Sequence, residues 1–323
     1  MKLHRRHFLE LPVVSAALLA ALCSAWAQNY PTRPVHLMVG YPPGIAPDVI
    51  ARLIAQPLSD RLGQQVTVEN RPGAGSNMAA EMVARSPADG YTLLYVTITN
   101  AVNATLFQNL SFDIVRDFAP IASIDRAPLL VVVTKSLPPK TIGELIAYAK
   151  ANPGKINYAS AGYGTANHIA GELLKVSAGI DLVHVPYRNS YIPDLLAGEV
   201  AITFAPLATV SELAKAGKLR ILAVTGAQRS PALPNIPAIA EFVPGYEYNV
   251  WHGIVVPKGT ATNVVKRLNA DINACLADQR LVKRLADLGS TAFTGSPEEF
   301  GKFIADETEK WGKVVREANI KSE

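Results

Sequence analysis

Three glycine-containing loops carry the residues best suited to hold a small anion. They follow short β-rich segments that end near Val39, Asn70 and Ser160, and each opens a helical pattern. Glycine lets the backbone approach a ligand closely, and the free N–H groups of a helix N-terminus carry partial positive charge. Converging loops of this kind suit a carboxylate.

The candidate ligand-binding residues of these loops are mostly small, hydroxyl-bearing or amide-bearing. They are Tyr41, Pro43, Gly44, Ile45, Ala46, Asp48, Gly75, Ser76, Asn77, Ser160, Ala161, Gly164, Thr165 and His168. The alternative is a purely structural role, in which the loops are only turns and Asp48, Asn77 and Thr165 are helix N-caps. His168 is either a donor in the site or a structural residue of the helix.

Catalytic motifs are matched poorly. Tyr158-Ala159-Ser160-Ala161-Gly162 approaches the nucleophile elbow of hydrolases, but Tyr158 replaces the first glycine that the turn needs. The glycines at 162 and 164 are not followed by a third at the spacing of the dinucleotide fingerprint. The histidines lack metal-ligand spacing, and the carboxylates form no pair suited to acid–base catalysis. We therefore expect neither an enzyme nor a cofactor or metal.

The elements that must position these loops alternate between strands and helices. The first set predicts strands at 35–39, 66–70 and 91–97 and helices at 48–62 and 78–85. The second set predicts strands at 129–134, 156–160, 182–186, 200–204 and 219–224 and helices at 142–151, 166–178, 191–197 and 210–216. An apolar run at 249–256 precedes C-terminal helices near 263–288, with a break, and 297–318. This order favours an α/β fold with parallel or mixed sheets flanked by helices.

Two α/β sets without a flexible linker predict two lobes joined by crossing segments, near 127–133 and 246–256. We assign residues 28–127 and 248–323 to the first lobe and residues 128–247 to the second. Ligands of open α/β sheets bind beyond the carboxyl ends of the strands, so the expected site is the cleft between the lobes.

The N-terminus predicts export. Lys2, Arg5 and Arg6 precede an uncharged run from Leu11 to Trp26, and Ala25-Trp26-Ala27 is a small-x-small cleavage site, so residues 1–27 are predicted to be a signal peptide. The paired arginines leave twin-arginine and general secretion as open alternatives. A periplasmic location is expected.

The predicted mature chain is nearly neutral. Losing three basic residues and one acidic residue with the signal lowers the formal net charge from +4 to +2, so nucleic acid is not an expected partner. Cys275 stays as the single thiol, too few for an internal disulfide.

An ordered series of motifs along the whole mature chain resembles the substrate-binding receptors of tripartite tricarboxylate transporters, the Bug family. The motifs of this series are Tyr30-Pro31-Thr32-Arg33-Pro34, Pro42-Pro43-Gly44 with Asp48, Val68 to Gly75, Asp89-Gly90-Tyr91-Thr92-Leu93, Ser111-Phe112-Asp113, Ser160-Ala161-Gly162 with Gly164-Thr165 and His168, Val185-Pro186-Tyr187, Gly217-Lys218-Leu219-Arg220 and Arg229-Ser230 with Leu233-Pro234.

The resemblance implies a two-lobed periplasmic binding protein of type II topology that closes around an organic carboxylate, such as a dicarboxylate or aromatic acid. It implies delivery to membrane transporter subunits, action as a monomer, and Tyr187 and Tyr191 as further ligand contacts. A sensor for a membrane signalling partner is the alternative, and an enzyme on the same scaffold is a weaker one.

Departures from the family pattern bear on specificity. Ile45-Ala46-Pro47 stands where the family usually has Gly-Ser-x before Asp48, and Ser76-Asn77-Met78-Ala79 replaces Gly-Asn-Ile-Gly. Phe204-Ala205-Pro206 lacks an aspartate that many relatives carry. Because the ammonium of an amino acid needs an acidic partner, these changes predict a less polar acid, with aromatic acids included.

Overall fold

The computed structural model describes residues 30–187 and 189–321. The predicted signal peptide, residues 1–27, lies outside this range. Within the described residues, the helices are all too short or too polar to cross a membrane.

The first sheet has six strands in the order β11-β4-β10-β3-β1-β2. They are β1 (Val35–Val39), β2 (Val66–Asn70), β3 (Thr92–Thr97), β4 (Phe118–Pro128), β10 (Asn249–Pro257) and β11 (Thr291–Ala292). β1 pairs in parallel with β2 and β3, whereas β10 runs antiparallel to both β3 and β4. The carboxyl ends of β1 to β4 therefore lie at one edge of the sheet.

Helices cover both faces of this sheet. They are α1 (Ala46–Leu62), α2 (Asn77–Ala84), α3 (Ile98–Leu106), α8 (Thr262–Leu276), α9 (Gln279–Asp287) and α10 (Pro297–Glu317). Neighbouring strand residues alternate between two hydrophobic clusters. Leu37 packs with α1, α8 and α9, while Met38 packs with α2, α3 and α10. Burial on both faces explains the nearly continuous apolar character of β1 and β3.

The second sheet has five strands in the order β7-β6-β8-β5-β9. They are β5 (Leu130–Thr134), β6 (Asn157–Ser160), β7 (Val183–Pro186), β8 (Ile202–Ala205) and β9 (Leu219–Val224). Its helices are α4 (Ile142–Ala151), α5 (Ala166–Ala178), α6 (Ile192–Ala197) and α7 (Leu207–Lys215). β6 is parallel to β7 and β8. We call the units built on the two sheets the first and second lobes.

The crossings between the lobes lie side by side. Only Leu129 separates β4 from β5, and its amide donates to Thr225 Oγ1 at 2.7 Å. Thr225, just after β9, donates from the same hydroxyl to Tyr248 O at 2.8 Å, just before β10. One buried threonine thus ties both crossing segments together.

The predicted two-lobed fold with mixed sheets is confirmed. Helices α4 and α5 have the predicted bounds, while α1 begins at Ala46 rather than at residue 48 and α7 at Leu207 rather than at residue 210. Three strands or helices were missed: α3, most of β4 and the two-residue β11. Five of the nine residues of α3 are Thr, Asn or Val, which favour helix only weakly, so burial and capping determine it. The division at residues 128 and 247 stays a prediction.

Candidate functional site

Helix α3 begins directly where β3 ends, and polar side chains determine that junction. Thr97 caps the helix by accepting from Thr99 N at 3.2 Å, and Asn100 Oδ1 accepts from Thr97 N at 3.0 Å in a capping box. One turn later, Asn103 Nδ2 donates to Gly75 O at 2.8 Å and to Asn77 Oδ1 at 2.9 Å. The loop after β2 is therefore held against the first turns of α3.

Four buried polar atoms at this junction lack a hydrogen-bond partner among the described residues. They are Ser76 Oγ, Asn77 Nδ2, Asn100 Nδ2 and Asn103 Oδ1, which is half of the eight such atoms in the described part of the chain. Buried polar atoms are nearly always paired, so a group of unpaired ones indicates a missing partner. We call these four residues the amide cluster.

The loop after β1 is built around Asp48. Its carboxylate accepts from Gly44 N at 2.8 Å, from Arg52 Nε at 3.0 Å and from Asn70 Nδ2 at 2.8 Å. Burial opposes ionisation of Asp48, but these hydrogen bonds outweigh it and lower its pKa. Asp48 thus fixes the loop, and its carboxylate is already occupied.

The alternative reading of this loop, with Asp48 as a helix N-cap, was wrong. Ile45, not Asp48, is the N-cap of α1, with an extended backbone at φ −89°, because Gly44 supplies the left-handed residue at φ 84°. Pro43, Gly44 and Ile45 are exposed and Ala46 is half-buried. In the second loop Ser76, not Asn77, is the N-cap of α2. Tyr41 reaches the α3 junction, with its Oη 2.9 Å from Thr97 Oγ1.

The hydroxyl of Ser160 already has hydrogen-bond partners in its own lobe. Its Oγ lies 3.0 Å from both Gly162 N and Gly162 O and 2.6 Å from His184 Nε2, and the residue is 0% exposed. The serine–histidine contact resembles part of a hydrolase triad, but a nucleophile must reach its substrate. Ser160 therefore shapes the loop, next to the exposed Ala161.

His168 also serves this loop. Its Nδ1 accepts from Gly164 N at 3.0 Å, and its ring stacks on His184 with centroids 4.0 Å apart. Burial, followed by the positive charge of Lys175, lowers the pKa of His168 to about 4. Burial, followed by His168, lowers the pKa of His184 to about 3. Both rings are therefore neutral at neutral pH.

The loop after β6 contacts the first lobe. Thr165 is the N-cap of α5, as predicted, but its hydroxyl donates to Gly162 O at 2.7 Å instead of accepting from the helix. A Cβ on Gly164 would lie 2.6 Å from Leu106 Cδ2 and 3.2 Å from Asn103 Oδ1. The loop thus lies directly against the amide cluster, and the start of α5 lies next to it.

Tyr187 and Tyr191 contact residues of their own lobe. Tyr187 Oη donates to Asp194 Oδ2 at 2.7 Å. Tyr191 is 8% exposed and packs in the core of the second lobe, with Asn167 Nδ2 3.4 Å from its Oη. Arg188, between these tyrosines, lies outside the described residues.

Sequence reasoning brought the Ser76–Asn77 and Gly164–Thr165 loops to one place but missed the residues between them. Thr97, Asn100 and Asn103 belong to the helix that was not predicted. The available signal was two asparagines three residues apart directly after a strand, which share a helix face. A groove of about 730 Å³ lies between the C-terminal ends of α3 and α10, and Leu106, which faces Gly164, is one of its lining residues. Among the described residues, His, Cys, Asp and Glu form no group of three that suits a metal ion.

Comparison with known proteins finds close relatives over nearly the whole chain. A UPF0065 protein from the tcbD-tcbE intergenic region of a Pseudomonas species is 38% identical over 295 residues, covering 90% of this chain and 88% of that protein. BugT of Bordetella pertussis is 35% identical over 313 residues, covering 95% of each chain.

Solved structures agree in fold. Rpa4515 of R. palustris with adipate has a TM-score of 0.84 at 38% identity, covering 90% of this chain and 99% of that one. MatC of Rhodopseudomonas palustris with bound malate has a TM-score of 0.80 at 28% identity, covering 88% and 100%. The periplasmic binding protein BugD has a TM-score of 0.81 at 31% identity, covering 90% and 99%. The family model described as tripartite tricarboxylate transporter family receptor matches residues 50–320, and the chain belongs to that family.

Proposed function

We propose that the protein is a periplasmic receptor that binds a small organic carboxylate between its lobes and delivers it unchanged to a membrane transporter. The observation that carries this proposal is the amide cluster. Three of its four unpaired atoms, in Ser76, Asn77 and Asn100, belong to hydroxyl or amide groups that can donate hydrogen bonds. An ionised carboxylate only accepts hydrogen bonds, so it complements such donors.

The second lobe adds donors from the other side. The hydroxyl of Thr165 donates to Gly162 O and does not accept a hydrogen bond from the first amides of α5. Gly164, directly before this N-cap, lies against Asn103. A carboxylate between the two lobes can therefore accept from side chains of one lobe and from a helix N-terminus of the other. Such a ligand would hold the lobes together.

The ligand chemistry is supported by relatives. Adipate is bound in Rpa4515 and malate in MatC, and both are dicarboxylates. The cluster residues Ser76, Asn77, Asn100 and Asn103 carry no formal charge, so the anion would accept hydrogen bonds from neutral donors. The predicted signal peptide and the periplasmic relatives support the location. The candidate contacts Ser76, Asn77, Gly164 and Thr165 are the ones this arrangement favours.

The experiment is a ligand screen on purified protein. Native mass spectrometry identifies any co-purified acid, and thermal shifts are then measured with succinate, malate, adipate and benzoate and with the neutral diamides of the diacids. A ligand at about 100 times its dissociation constant adds about 2.7 kcal/mol, which raises the melting temperature by several degrees. We expect a shift with at least one acid, none with its diamide, and recovery of the acid unchanged.

A pair of variants tests whether the ligand-induced thermal shift depends on the candidate site. Asn77→Ala is expected to reduce the ligand-induced shift because it removes an unpaired donor. Asn152→Ala, at the end of α4, removes an asparagine that donates to Tyr148 O in the second lobe and is expected to leave the shift intact. A folded protein that no acid stabilises would contradict the carboxylate proposal, and turnover of the acid would contradict the receptor role.

A further inference from the structure

The two lobes also touch at a point outside the ligand loops. A Cβ on Gly289, in the turn between α9 and β11, would lie 2.9 Å from Leu207 Cβ and 3.3 Å from Leu207 Cδ2. Gly289 belongs to the first lobe, whereas Leu207 is the first residue of α7 in the second lobe. The turn after α9 and the start of α7 therefore lie directly against each other across the gap between the lobes.

This contact lies beside the first crossing segment. Thr291, the first residue of β11, pairs with Arg126 near the end of β4. Ala205, the last residue of β8, pairs with Leu130 at the start of β5. Because only Leu129 separates β4 from β5, the start of β11 and the end of β8 flank the crossing. The contact is thus placed where any change in the angle between the lobes must alter it.

Both sides of the contact are anchored in a hydrophobic core. The turn after α9 is closed by hydrogen bonds from Gly289 N to Ala286 O and from Ser290 N to Leu285 O, each 2.9 Å long. Leu285 is buried in the core of the first lobe, and Leu207 packs against the core of the second. Close-packed elements transmit strain, so volume added at Gly289 is expected to move one lobe against the other.

A hydrogen bond connects the contact to the ligand loop after β6. Asn167 Nδ2, in the first turn of α5, donates to Phe204 O, three residues before Leu207. The first amides of α5, which the proposed function assigns to the carboxylate, are therefore tied to the end of β8. Their position relative to the amide cluster depends on how closely Leu207 approaches Gly289.

The contact can act on affinity without touching the ligand. The affinity of a two-state receptor falls with the fraction of molecules in the arrangement that binds. We propose that Leu207 and Gly289 form a stop that sets the closed arrangement of the lobes, so that both residues determine the affinity for every ligand by the same factor. This inference rests on the proposed function, because it needs a ligand that bridges the lobes.

The backbone of Gly289 requires a control. Gly289 has φ 82°, a conformation that favours glycine whatever lies nearby. Gly245, in the turn before β10, also has φ 82°, yet no atom beyond its chain neighbours lies within 4 Å of the place of a Cβ. Gly245→Ala therefore introduces the same backbone strain without the contact.

The test is calorimetric titration of the purified protein with succinate, malate and adipate. Gly289→Ala is expected to weaken the binding of each acid that binds by a common factor of about 5- to 150-fold, as for a methyl group forced into a packed contact. Gly245→Ala should lower the urea midpoint similarly and keep wild-type affinity. Small-angle scattering at saturating acid should give a larger radius of gyration for Gly289→Ala than for Gly245→Ala.

A second pair of variants examines the other side of the contact. Leu207→Ala removes the atoms that pack over Gly289 and is expected to weaken the binding of each acid about three- to tenfold. Leu213→Ala is its control, since Leu213 lies on the same helix and packs against the same core. It should lower stability and leave affinity unchanged. This pair decides alone if Gly289→Ala does not fold.

Three outcomes would overturn the stop. Equal affinity of Gly289→Ala and Gly245→Ala would mean that the contact is the same with and without ligand. Tighter binding by Gly289→Ala would mean that the contact opposes opening instead of limiting closure. Different factors for different acids would make the contact a determinant of specificity. In each case wild-type binding keeps the proposed function, whereas a wild type that binds none of the acids contradicts both.

Discussion

Ser76 offers a test in which binding and stability should change independently. Its Oγ is buried, with the residue 1% exposed, and has no partner among the described residues. Ser76→Ala therefore deletes a group that makes no hydrogen bond in the free protein. The backbone cost is unchanged, since serine and alanine are equally strained at φ 75° and Ala74 already adopts φ 45° in the same loop.

The expected magnitudes follow from this. A hydrogen bond from the hydroxyl to a carboxylate contributes about 1.5–3 kcal/mol, so the dissociation constant should rise about 10- to 150-fold. The free energy of unfolding without ligand should stay within about 0.5 kcal/mol or increase, because an unsatisfied buried group is removed.

Ser59→Ala is the matched opposite. Ser59 Oγ donates to Ala55 O at 2.7 Å and accepts from Val66 N at 2.8 Å, far from the amide cluster. Its loss should lower the unfolding free energy by about 1–2 kcal/mol and leave affinity unchanged. Urea unfolding and calorimetric titration measure both quantities. Lower stability with normal affinity in Ser76→Ala would refute the assignment and make its hydroxyl a structural group.

Three further predictions concern the loop after β6. Gly164→Ala is expected to weaken binding by about 1–3 kcal/mol in titration, because its Cβ would meet Leu106 at 2.6 Å and a residue at φ 72° is strained; unchanged affinity would show that the loop does not close on α3. Ser160→Ala should lower the unfolding free energy by about 1–3 kcal/mol in urea, because it removes the hydrogen-bond partner of the half-buried His184 ring, and loss of affinity alone would contradict this. The pKa of His168 is about 4 when folded, below its unfolded value, so its contribution to stability is complete above about pH 6.5 and is lost as the pH falls toward 4. His168→Asn keeps an acceptor for Gly164 N and should flatten unfolding free energy against pH in that window by up to about 1.4 kcal/mol per unit; an unchanged slope would refute the buried neutral ring.

The fold was readable because its periodic elements agree with their burial. β1 and β2 have the predicted bounds, since apolar runs between turn residues are decisive there. Helix α3 was not readable, because its residues favour helix weakly and tertiary burial of Ile98, Ala101 and Val102 stabilises it. Because α3 was not predicted, Asn100 and Asn103, half of the amide cluster, were not predicted as site residues.

The roles of single residues were harder to predict than the loops that hold them. Gly44 and Gly164 were recognised by type, and their left-handed backbone explains the choice of glycine. Asp48 and Ser160 were assigned to the ligand, yet their polar atoms contact neighbours within the loops. Sequence shows that a side chain can form hydrogen bonds but not which partner it chooses, because the partner comes from another strand or helix.

The place of β10 in the first sheet sets an order for assembly of the chain. β10 lies between β3 and β4, so the sheet lacks a central strand until Asn249–Pro257 has emerged. The second sheet is built from one continuous stretch, Leu130 to Val224, and can form before that. During synthesis and export we therefore expect the second lobe to fold first, while β3 and β4 keep unpaired edges that chaperones can recognise.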